Sequence, residues 1–175
     1  MQAYFQVKFL SVYGAPVYVH WLALLAMAGL LAASFKSPLL GVIFIASYFG
    51  MILLHEAGHA LFAQKLGYRP VKIQLGLFHG RCWYQGSNNK KHAAIIAWGG
   101  VVAQFTVALP LTVLAQTTRL SEVPGFGPLI AFLGYISLMM AFLNLAPSPH
   151  LDGGKAWSLL PMVLKEWRDR NKRLR

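Results

Sequence analysis

The chain has 175 residues, 57% of them hydrophobic and only 12% charged, with a mean hydropathy of +0.51. Soluble domains carry about a quarter charged residues, so this is the composition of a membrane protein of one domain. The net charge of +11 does not indicate a nucleic-acid binder, because such proteins lack long uncharged apolar runs. One cysteine, Cys82, excludes an intrachain disulfide and Cys-rich metal sites; beside Trp83 it reads as packing rather than as a reactive thiol.

Four apolar stretches, roughly 17–35, 39–65, 93–116 and 126–145, are long enough to cross a bilayer as helices. The N-terminus does not read as a removable signal peptide. The expected fold is an all-α polytopic membrane domain over 1–175, with four transmembrane helices, the fourth broken at its end. Fourteen basic residues fall in the N-terminus, the loop between helices two and three, and the tail, whereas the opposite side receives only Lys36 and Arg119. By the positive-inside rule both termini are cytoplasmic, which suits a bacterial inner membrane.

Between helices two and three, Val71, Ile73, Leu75 and Leu77 alternate with other residues, and His79-Gly80 can turn the chain. That period of two predicts a short β-hairpin or paired strands, with an irregular loop in the headgroups as the alternative. The tail over 162–175 is basic and helix-friendly, a solvated cytoplasmic anchor before a lipid- or partner-recognition element. Trp157 and Trp167 suit an interfacial position.

Ionisable groups at membrane depth are costly and mark function. Of the five acids, Glu56 and Asp152 sit in or beside apolar segments. Glu56 belongs to His55-Glu56-Ala57-Gly58-His59. On a helix the two histidines share a face one turn apart, so both can reach one ion, and Glu56 can take a proton from the water it activates. Helix-packing histidines are the alternative, but they leave three polar side chains unexplained. Catalytic zinc takes three protein ligands, and the best source of a third is the segment Asn144-Leu-Ala-Pro-Ser-Pro-His-Leu-Asp152-Gly-Gly. His55 is 16 residues from Leu39, roughly 24 Å along a helix, and Asn144 is 18 residues from Phe126, roughly 27 Å. Both helices start on the less basic side, so the two motifs meet at one depth toward the cytoplasm.

HEAGH on an apolar helix, followed by NLAPSPHLDGG, resembles the site-2 protease family of intramembrane metalloproteases. Asn144, Pro147, Leu151, Asp152 and Gly153 match the family's second motif, and the resemblance extends from the first helix to about Leu160. It implies that His55, His59 and Asp152 bind one Zn2+ ion, that Glu56 is the general base, and that Asn144 helps stabilise the oxyanion. It also implies that the segment 71–84, with Ile73 and Leu75, binds an unwound substrate as an added strand. Gly99-Gly100-Val-Val-Ala-Gln104 resembles the family's glycine-rich stretch, but Gln104 stands where Asn is expected, and its role stays open among the substrate contacts. The expected substrate is a transmembrane protein. No PDZ-like module is recognised, so gating falls to this minimal core, a regulatory membrane partner or a homo-oligomer.

His20 lies near the metal in depth, as a second-shell group, a substrate contact or an interfacial histidine. His150 is a spare ligand that the pattern does not need; His79 and His92 are loop residues. Two other readings compete. A zincin with a glutamate third ligand needs an acid at membrane depth other than Asp152. A metal-binding scaffold or transporter has no use for Glu56.

Overall fold

The polypeptide begins with a hairpin hidden inside an apolar stretch. In the computed structural model, which describes residues 3–86 and 89–173, strands Tyr4–Val12 (β1) and Ala15–His20 (β2) pair antiparallel. They are joined by Tyr13 and Gly14, at φ of 50° and 79°, as a two-residue primed turn requires. Of the basic tail, Leu174 and Arg175 lie outside the described residues.

β2 runs directly into helix Trp21–Ala33 (α1), where His20 acts as N-cap and its Nδ1 accepts from the Leu22 amide at 3.2 Å. The first span expected over 17–35 is therefore part strand. Alternation decides it: Ala15, Val17 and Val19 are buried, and the two β-branched valines pack well on a pleated surface. Helix α1 has 13 residues, about 20 Å, which is shorter than the roughly 30 Å of bilayer hydrocarbon.

Three longer helices follow, each apolar enough and long enough to cross a membrane: Pro38–Lys65 (α2), Lys90–Thr117 (α3) and Phe126–Asn144 (α4). Pro38 opens α2, and the Asn89 side chain caps α3 by accepting from the Lys91 and His92 amides. Helix α4 is wound as a π-helix through Ile130–Ile136. Helices α2 and α3 cross closely at Gly58 and Gly99; a Cβ on either would strike the other's carbonyl oxygen. Small residues allow this approach between membrane helices.

The strands expected over 71–84 are present as Pro70–Leu75 (β3) and Gly80–Tyr84 (β4), paired antiparallel. They complete a four-stranded sheet of order β1-β2-β3-β4, in which β2 and β3 run parallel with Val17 opposite Ile73. The fold is thus mostly helical with a small mixed sheet. One sheet face packs on α2, where Val17, Val19, Ile73 and Leu75 form a core with Phe49, Met51 and Ile52. The Tyr48 hydroxyl donates to the Leu77 carbonyl and ties the β3–β4 connection to α2. After α4 an irregular turn leads to the short helix Gly153–Ala156 (α5) and then to Leu159–Arg173 (α6).

Candidate metal centre

His55, Glu56 and His59 are buried on α2, one turn apart as their spacing dictates. Asp152 arrives from the break after α4. His55 Nε2 lies 2.9 Å from Asp152 Oδ2, His59 Nε2 lies 3.1 Å from the same oxygen, and the two Nε2 atoms are 3.1 Å apart. Helix α3 sets the orientation of both rings. His55 Nδ1 donates to Gln104 Oε1 at 2.9 Å, and His59 Nδ1 donates to the Ile96 carbonyl at 2.8 Å. With the Nδ1 protons so engaged, both Nε2 lone pairs point at the carboxylate oxygen. Three acceptor atoms in mutual contact repel one another unless a cation neutralises them. Ligands about 2.0–2.2 Å from a tetrahedral zinc stand roughly 3.3 Å apart, close to the separations here. The donor set therefore fits zinc. Gly100 leaves the room, since a Cβ there would come within 2.6 Å of both imidazoles.

Asp152 is held by packing rather than by a helix repeat. Gly153 sits against the Leu145 and Ala146 carbonyls and Gly154 against that of Ser148, leaving no room for a side chain at either. Trp157 Nε1 donates to the Leu145 carbonyl at 2.6 Å, and Trp98 Nε1 of α3 donates to that of Ala156 at 3.1 Å. These bonds fasten the irregular turn on both sides of the aspartate.

A cavity of about 560 Å³ opens over the cluster, lined by Glu56, Gln104, Asn144, Asp152 and the edge strand β4. The backbone amide of Cys82 in β4 donates to the Glu56 carboxylate. Gly80 also lies against Glu56, with a Cβ there reaching within 2.5 Å of the side chain. The Cys82 thiol is pushed up to about 12 by burial and by the nearby Glu56 charge, so it is a protonated packing group.

The structure brings Glu56, Asn144, His55, His59, Asp152 and Gln104 around one cavity. Gln104 bonds to His55, so its side chain is engaged in holding a ring rather than free to meet a substrate. Ile73 and Leu75 point into the core, and β3 has partners on both sides, which leaves no edge for an added strand. That edge belongs to β4. His20 caps α1 and meets Tyr4 edge-on, outside the cavity lining. His79 and His150 do line the cavity, and His92 pairs with the Tyr68 hydroxyl at 2.7 Å. The sequence reading missed the Ile96 carbonyl; it held the β4 edge only within the undivided segment 71–84, and Gly100 without a role. The signal at Gly100 was a glycine pair inside a long helix.

A His-Glu-x-x-His helix converging with an aspartate among long apolar helices forms a donor set that could hold a metal ion. No protein-family model matches the chain. It is 32% identical over 160 residues to the Synechocystis protein sll0528, whose name assigns it to the zinc metalloproteases, covering 82% of this chain and 41% of that protein. It is 27% identical over 153 residues to zinc metalloprotease MJ0392 of Methanocaldococcus jannaschii, covering 86% of this chain and 44% of the other. The chain thus spans less than half the length of these relatives. The solved site-2 protease from M. jannaschii shares the fold, with a TM-score of 0.69 at 21% identity over 93% of this chain and 72% of that one. The chain is thus similar in sequence to named zinc metalloproteases and in fold to a site-2 protease.

Proposed function

We propose that this chain is an intramembrane zinc metalloprotease that hydrolyses peptide bonds in or near the transmembrane segments of membrane proteins. The observation that carries this reading is the convergence of His55 Nε2, His59 Nε2 and Asp152 Oδ2 beside Glu56, directly under the free edge of β4. His55, His59 and Asp152 would hold one zinc ion, which would acidify a water and polarise the scissile carbonyl. Glu56 takes the proton of the attacking water and returns it to the leaving amine. Asn144, on the cavity wall, donates its amide N–H to the developing oxyanion.

Backbone in lipid must satisfy its own hydrogen bonds, so a helical substrate presents no free carbonyl and an open strand edge is tolerated only against a cavity. β4 meets that condition. An unwound substrate segment pairs with it and displaces the Glu56 contact from the Cys82 amide, bringing its carbonyl to the base. Helix-breaking residues in the substrate favour this unwinding. The reading treats residues 1–175 as one membrane-embedded domain with four crossings, the short α1 spanning where the bilayer thins around it. The excess of basic residues supports both termini and the site facing the cytoplasm, which suits a bacterial inner membrane.

The test is cleavage of a panel of single-pass membrane proteins by purified wild type and Glu56→Gln, with zinc assayed in both. Cleavage by wild type alone, with equal zinc, is the expected result. Zinc in neither protein, or equal cleavage by both, overturns the reading.

A further inference from the structure

Helix α6 is not used by the chemistry, and its surface is unlike that of any other helix here. Leu160, Val163, Leu164 and Trp167 recur at i, i+3, i+4 and i+7, which makes one stripe, and they are 58%, 44%, 50% and 60% exposed. No described element covers them. At 100° per residue, Arg168 and Arg170 stand about a quarter turn to either side of the stripe, with Lys165 and Lys172 further round. Of the two acids, Glu166 is already neutralised, because Lys91 Nζ donates to both its oxygens at 2.7 and 2.6 Å. Asp169 lies on the face opposite the stripe.

That ion pair also sets the depth of the helix. Lys91 is in the first turn of α3, just before its apolar span begins, so α6 is tied to the level where hydrocarbon gives way to headgroups. A helix with seven charged residues in fifteen cannot cross the bilayer, yet one with a bare apolar stripe is unstable in water. Both demands are met by one surface, apolar below and anionic at its rim.

We propose that α6 lies in the plane of the cytoplasmic interface, its Leu160–Trp167 stripe among the acyl chains and Arg168 and Arg170 on the headgroups of anionic lipids. The docking makes the anionic leaflet a partner of this chain, and through the Lys91 tether it fixes α6 beside the end of α3. It rests on the membrane-embedded reading above and is independent of the hydrolysis.

The test uses the full chain in vesicles of phosphatidylcholine alone or mixed with phosphatidylglycerol. A nitroxide is placed at Val163→Cys, Asp169→Cys or Leu109→Cys, with unsubstituted protein as the background for Cys82. Position 109, half-exposed in the middle of α3, reports insertion. In the anionic vesicles position 163 is expected to be open to oxygen and shielded from a nickel chelate, with 169 the reverse. Each basic residue near an anionic surface is worth about fivefold in partitioning, so Arg168→Glu with Arg170→Glu should return 163 to water. The proposal is overturned if 163 is open to nickel in both vesicle types, or if it is shielded from both reagents, which indicates a protein partner. Nickel access at 109 instead sinks the membrane-embedded reading itself.

Discussion

The two halves of the metal centre are built by different means. The histidine half is one turn of α2, where helical repeat alone aligns His55 with His59, and α3 completes it through Gln104 and the Ile96 carbonyl. The aspartate half has no repeat behind it. Asp152 stands on an irregular turn held by glycine contacts and two indole hydrogen bonds. Damage to the first half should reach folding as well as metal, because α2 and α3 are the centre of the bundle. Damage to the second should move the metal and disturb the fold less.

The largest effect is expected from His59→Ala, which should reduce bound zinc from one equivalent to none and abolish cleavage; retained stoichiometric zinc would sink the ligand assignment. Gly58→Leu and Gly153→Val then test the contrast directly. The first forces α2 and α3 apart and should lower the thermal unfolding midpoint, because overpacking costs about 1–3 kcal/mol or more where backbone is struck. The second also strikes backbone, but in the irregular turn outside the α2–α3 contact, so it should lower the midpoint less while weakening zinc more in chelator competition. Equal losses of stability would mean that the two halves are one unit.

Gln104→Ala removes the acceptor that holds His55. Zinc affinity should fall about 10–100-fold, the usual effect of such orienting partners, and an unchanged affinity would show that Gln104 only fills space. A smaller change is expected from Trp157→Phe. It deletes the bond to the Leu145 carbonyl, worth about 1 kcal/mol, and should loosen zinc a few-fold with no shift in unfolding. Smallest of all is the behaviour of Cys82. Its thiol stays protonated far above the ordinary cysteine value of about 8.5, so alkylation in the folded protein should show no rise between pH 7 and roughly 10. A rise through that ordinary titration would place Cys82 outside the packed cavity wall.

Much of this was legible from residues alone where a period operates. The spans of α2, α3 and α4 came within three residues at each end, the alternation over 71–77 foretold β3, and the turn expected at His79-Gly80 implied β4. The N-terminal hairpin was not legible, because Ala15–His20 continues without a break into the apolar residues of α1, and hydropathy cannot tell a buried strand from the first turns of a helix. Gln104 was found as an oddity without a role. Its role depends on the crossing of α2 and α3, which no local pattern encodes.

Taken alone, the sequence determined the apolar composition, the long helices and which histidines and aspartate come together. Each of these depends on composition, a repeat or a length. Only the tertiary structure decided that β4 rather than β3 offers the free edge. It also decided that Ile73 and Leu75 serve the core, and that α3 orients both imidazoles. Those outcomes turn on which strand becomes the outer one and which backbone groups face each other across glycine contacts, and such choices exist only once distant segments pack.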